Sequence, residues 1–175
     1  RTTRNSPASE SLRPSASGGC QALAIVATGA NLPDIQSLDF DPVTKEYAQF
    51  WVEMPESWDL GTVSFKPVWS HAATATNFGV VWSLQGVAIS DNQAIGTAYG
   101  TVQTSTDTGG TTDRKYTGPE SAAVTIANTP TKGCTVAFRV AREVNIGSPD
   151  YDTLAIDARL QGIRLYITTT AETDV

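Results

Sequence analysis

The run Leu154-Ala-Ile-Asp-Ala-Arg-Leu-Gln-Gly-Ile-Arg-Leu-Tyr-Ile167 alternates apolar and polar residues, but its parity changes halfway. Leu154, Ile156, Ala158 and Leu160 hold one parity, Ile163, Leu165 and Ile167 the other, and Gly162 stands at the change. An earlier run does the same at Gly86, with Val80, Trp82 and Leu84 before it and Val87 and Ile89 after it. A strand buries one face only while its register holds, so each glycine is predicted to mark a β-bulge or a sharp bend. Long strands that bend belong to curved, packed sheets, and the expectation is an all-β fold.

The rest of the chain agrees. Strand-like runs separated by turn residues cover 21–28, 37–41, 46–54, 62–69, 78–89, 97–104, 122–127, 135–142 and 154–168. Pro67 marks the fourth as an edge or kinked strand. No convincing amphipathic helix intervenes. Eight or nine strands point to an antiparallel β-sandwich of jelly-roll type spanning 20–175. Residues 105–119 hold no aliphatic residue and read as a long irregular loop. Residues 1–19 carry five Ser, two Pro and one large aliphatic residue, Leu12, which is the composition of an extended or disordered arm.

Length and composition bound the function. A chain of 175 residues is long enough for a real core. Its net charge is -6, and since Arg1, Arg4 and Arg13 lie in the arm, the body is more acidic still, which argues against nonspecific nucleic-acid binding. No run of 18 apolar residues suggests a membrane span and no apolar segment near Arg1 suggests a secretory signal; a chain starting without Met reads as a processed or partial product. Cys20 and Cys134 have no His or Cys at metal spacing and are expected to be buried thiols rather than a bridge.

Chemical signatures are sparse. His71 is the one histidine, no Gly-x-Ser-x-Gly elbow presents a nucleophile, and neither phosphate-binding nor zinc spacings occur. No catalytic, cofactor or metal residue is assigned. Carboxylates gather at Asp39 and Asp41, at Glu53, Glu56 and Asp59, and at Asp150, Asp152 and Asp157, where solvated turns explain most of them. Arg139, Arg142, Asp157 and Arg159 sit on the late strands and would suit either a solvent face or bidentate pairing across a subunit interface. Among the aromatics, Trp51, Trp69 and Trp82 lie in alternating runs and are expected to be packed, whereas Trp58, Tyr116 and Tyr151 lie in loops and are the candidates for contact with a glycan or a partner.

The segments Asp39-Phe-Asp41, Glu46-Tyr-Ala-Gln-Phe50, Met54-Pro-Glu-Ser-Trp58, Phe65-Lys-Pro-Val-Trp69, Val81-Trp-Ser-Leu84 and Asp157-Ala-Arg-Leu-Gln-Gly162 resemble small β-sandwich virion proteins of tailed phages and prophages. The resemblance implies a noncatalytic head-fibre, decoration or tail-fibre module in the virion. It implies a homotrimer anchored to other virion proteins by its N-terminal arm, with no cofactor. The alternative is a carbohydrate-binding module that recognises a host surface glycan; a glycan hydrolase ranks third.

Overall fold

A computed structural model describes residues 12–72, 78–144 and 151–170, together with the backbone of 2–6. The strands among them are β1 (Thr2–Ser6), β2 (Arg13–Pro14), β3 (Ala24–Val26), β4 (Ile35–Phe40), β5 (Tyr47–Glu53), β6 (Ser64–His71), β7 (Phe78–Ile89), β8 (Gln103–Gly109), β9 (Tyr116–Thr117), β10 (Ile126–Ala127), β11 (Thr135–Arg142) and β12 (Ala158–Ile167). One sheet runs β3-β4-β12-β6-β9, with β1 added to β12. The other runs β10-β7-β11-β5-β2, with β8 added to β7. All pairings are antiparallel except the short β10–β7 contact. The fold is an all-β sandwich of jelly-roll type, as the strand count implied.

The core lies between the sheets. Leu38 and Phe40 of β4, Phe65 and Trp69 of β6, and Leu160, Ile163, Leu165 and Ile167 of β12 meet Phe50, Trp82, Leu84, Phe138 and Val140 from the second sheet. Phe40 and Trp82 meet edge to face across the gap, with centroids 5.2 Å apart. Cys20 and Cys134 are buried free thiols, and burial pushes the Cys20 thiol up to about 12.

The bulge expected at Gly162 is present. β12 pairs Leu160 with Trp69 and then Gly162 with Val68, which leaves Gln161 as the extra residue and lets Leu160 and Ile163 both point inward. β12 itself begins at Ala158 rather than Leu154. The bend expected at Gly86 is absent. β7 pairs with β11 without interruption from Ile89 to Trp82, and Gly86 takes an inward place between Leu84 and Ala88. Its role is close approach: a Cβ there would stand 2.7 Å from Ile126 Cδ1 and 3.1 Å from Phe138 Cε1. Val87 and Ile89 therefore point outward.

One further expectation fails. The stretch 105–119, expected to be an irregular loop, holds most of β8 and all of β9. Ser105 and Asp107 occupy inward places on β8, so no apolar alternation reveals it; the Ser105 hydroxyl donates to the Pro119 carbonyl (2.6 Å) and Asp107 accepts from the Trp69 indole (2.9 Å). The described residues of the N-terminal stretch lie extended along the same chain, with β1 along β12 and β2 along β5, and Leu12 is 3% exposed within the core.

Candidate functional site

The outward face of the second sheet is built by the parity that excludes the core. On β5 the inward set Ala48, Phe50 and Val52 leaves Tyr47, Gln49, Trp51 and Glu53 facing out. On β11 the inward set Val136, Phe138 and Val140 leaves Thr135, Ala137, Arg139 and Ala141, and on β7 the outward residues are Val81, Ser83, Gln85 and Val87.

Register arranges these residues in rows. Arg13, Gln49, Arg139 and Gln85 stand side by side across β2, β5, β11 and β7. Tyr47, Ala141, Ser83 and Thr104 form the row on one side, and Trp51, Ala137 and Val87 the row on the other. Trp51 is 46% exposed, far more than the other tryptophans, and the small side chain of Ala137 beside it leaves its ring accessible.

Arg139 forms the centre of this face. Its guanidinium lies over the rings of Tyr47 (4.5 Å) and Tyr99 (4.7 Å), which approach from β5 and from the 90–102 connection. The Gln85 amide is placed so that its oxygen accepts from Arg139 Nε (2.6 Å) and Nη2, while its nitrogen donates to the Gly100 carbonyl (3.2 Å). Gly100 N–H in turn donates to the Gly86 carbonyl (3.2 Å), which ties the connection to β7. Burial raises the Tyr99 phenol above its ordinary range, and the Arg139 charge partly opposes this. Beside Arg139, Lys45 Nζ lies 2.6 Å from the Glu143 carboxylate, which also accepts from Ser83 Oγ (2.6 Å). A cleft of about 80 Å³ opens among Lys45, Tyr47, Ser83, Gln85, Arg139 and Glu143.

Larger recesses lie elsewhere. One of about 620 Å³ is lined by Leu32, Asp34, Asp113 and Lys115, and one of about 600 Å³ by Asp39, Asp41, Asp157 and Arg159. Neither is lined by an aromatic ring, whereas binding sites for neutral organic ligands combine aromatic walls with a few fixed polar groups.

The residues singled out in the sequence fall apart in space. Trp58 is 0% exposed and plugs the core, so it cannot touch a ligand; its backbone N–H bonds the Pro55 carbonyl, which folds the turn inward. The Tyr116 ring stacks on Trp69 (4.9 Å), and its hydroxyl accepts from Thr111 N–H (2.8 Å) and donates to the Thr111 carbonyl, fastening the loop. Tyr151 is 53% exposed. Its carbonyl lies where a Cβ on Gly79 would project, at the outward side of the start of β7. Trp69 and Trp82 are packed as expected, and Trp51 is not.

The four charged residues that would suit either a solvent face or a subunit interface do not share one face. Arg142 takes the inward parity and is 0% exposed, bonded to Asp152 and to three carbonyls, so it cannot serve a subunit contact. Arg159 pairs with Asp113 (2.8 Å) and Asp157 accepts from Gln21 (2.9 Å), both on the other sheet's side. Both Asp152 carboxylate oxygens accept from Arg142, and its side chain is 2% exposed, so it is not a solvated turn residue. Asp150 lies outside the described residues. Asp41 accepts the N–H groups of Val43 (2.7 Å) and Thr44 (2.6 Å), which hold its carboxyl below the usual range.

The two glutamates of the outward face cannot flank one glycosidic bond. Glu53 is held by Thr135 at the start of β11, and Glu143 follows its end, so the strand rise separates them by about 27 Å against the 5–10 Å that glycosidase pairs use.

The fold class matches solved modules. The chain is similar to the xylan-binding module CBM15, with a TM-score of 0.52 and 12% identity over 97% of this chain and 99% of that one. It is also similar to the CBM22-2 xylan-binding domain from Paenibacillus barcinonensis Xyn10C, with a TM-score of 0.51 and 11% identity over 95% and 99%. At such identities the likeness shows a shared β-sandwich fold. No protein-family model and no curated protein matches the sequence.

Proposed function

We propose that the protein is a noncatalytic carbohydrate-binding module that holds a glycan chain on the outward face of β7, β11 and β5. The exposed Trp51 carries this reading. An indole half in solvent offers a flat apolar surface to the C–H face of a sugar ring. The adjoining row of Gln49, Arg139 and Gln85 offers planar hydrogen-bonding groups for hydroxyls. The xylan-binding names of two modules of like fold agree with it. Tyr151, exposed at the start of β7, would meet a long chain at its far end.

Glycan arrays followed by isothermal titration test the assignment. Trp51→Ala is expected to weaken binding by about five- to 160-fold, on the scale of the ~1–3 kcal/mol that a nucleobase gains by stacking on an aromatic side chain. Because the ring is largely outside the core, unfolding stability should stay within about 1 kcal/mol. An unreactive array, or binding unchanged by Trp51→Ala, removes the assignment. In a virion, the setting implied by the sequence resemblance, this face would be the one that meets the host glycan.

A further inference from the structure

We propose that the glycan held on this face is anionic, with Arg139 receiving a carboxylate of a uronic acid residue; this rests on the carbohydrate-binding reading above. The argument starts from the hydrogen-bonding geometry of the guanidinium. Arginine has five N–H donors arranged as forks that match a carboxylate two at a time. Gln85 occupies the fork made by Nε and Nη2 of Arg139. The end-on fork, Nη1 with the second Nη2 hydrogen, has no protein acceptor among the described residues. Neither does Arg139 pair with a carboxylate there, although it is half-buried.

The charges around it point the same way. Glu143 is the one carboxylate lining the cleft, and Lys45 already neutralises it at 2.6 Å. The cleft therefore holds one positive charge in excess, within a protein whose net charge is -6. Tyr47 and Tyr99 fix the plane of the guanidinium from their rings, and Gln85 fixes its rotation, so the open fork needs little reorganisation to receive a ligand. A cleft of about 80 Å³ exceeds the roughly 10–15 Å³ needed for one water and suits a carboxylate rather than a whole sugar ring. Trp51 stands diagonally across from Arg139, a separation of about 7–8 Å, so a ring stacked on the indole places a neighbouring residue of the chain at the cleft. A brace that only fastened the 90–102 connection would be served by the Gln85 bridge to Gly100, without a charge.

Affinity gel electrophoresis and titration with glucuronoxylan and polygalacturonate, each beside its carboxyl-reduced form, decide the matter on the unmodified protein. Tighter binding of an acidic polymer over its reduced form by at least about tenfold, falling steeply with added NaCl, is the expected result. Arg139→Gln should erase that preference while leaving weak binding of the reduced polymer that still depends on Trp51. Arg139→Lys, which keeps the charge and loses the fork, should restore only part of it. Equal binding of acidic and reduced polymers overturns the anionic preference and leaves the glycan site standing. Binding of none of the polymers, with Trp51 without effect on any glycan, overturns both.

Discussion

Removing the Arg142 guanidinium should cost more stability than any surface change, and the amount follows from its partners. All five of its N–H donors are used: Nε (2.8 Å) and Nη2 (2.6 Å) on Asp152, Nη1 on the carbonyls of Phe40 (3.1 Å) and Ile156 (2.7 Å), and Nη2 on that of Leu154. The two side chains are 0% and 2% exposed. Arg142→Leu keeps an apolar filling but leaves the Asp152 carboxylate with the Val81 N–H as its remaining donor among these groups, and three carbonyls without theirs. Breaking one side of a buried pair typically costs about 3–5 kcal/mol. A domain has a total stability of about 5–15 kcal/mol. With a urea slope of about 2 kcal/mol per molar, a loss near 4 kcal/mol lowers the unfolding midpoint by about 2 M. Urea titration followed by tryptophan fluorescence reads this directly, and an unchanged slope establishes that the native state is what lost stability. Arg142→Leu combined with Asp152→Leu should recover part of the loss, because no unpaired carboxylate remains, yet stay below the parent because the three carbonyls still lack donors. A single-variant loss under about 1 kcal/mol, or a double variant equal to the sum of the two singles, would refute the claim that this pair is desolvated and coupled.

Trp58→Ala is expected to destabilise by about 3–5 kcal/mol through the cavity it leaves, while the fraction that stays folded binds glycan as the parent does; selective loss of binding would return Trp58 to the site. Asp157 has its carboxyl pushed up by burial and by Asp39 and Asp41, so the native state holds its proton more tightly than the unfolded chain does. Its contribution to stability therefore falls as pH rises through the carboxylate range, and Asp157→Asn should stabilise the protein at pH 7. That advantage should shrink on acidification below pH 4, and one that stays constant with pH would show that the carboxyl's titration is not its source.

Parity explains both what was readable and what was missed. β7 and β11 carry the bounds their alternation predicted, and the bulge beside Gly162 sits where the apolar set changes parity. β8 was hidden because its inward side chains are Ser105 and Asp107, whose partners, the Pro119 carbonyl and the Trp69 indole, come from distant positions that no local pattern displays. The site is concealed in the sequence for a different reason. Position in a strand predicts a packed tryptophan and position in a loop an available one, whereas exposure follows the face. Trp51 alternates with Ala48, Phe50 and Val52, so the polar parity of Gln49 and Glu53 carries it outward. Trp58 follows a turn at Pro55 that folds back onto the core. Arg139 and Arg142 are three residues apart, an odd spacing that puts them on opposite faces, and Val136, Phe138 and Val140 assign Arg142 to the inside. A charged residue on the apolar parity must find its whole set of partners within the fold, as Arg142 does. An aromatic residue on the polar parity leaves its surface to whatever binds there, which is the position of Trp51.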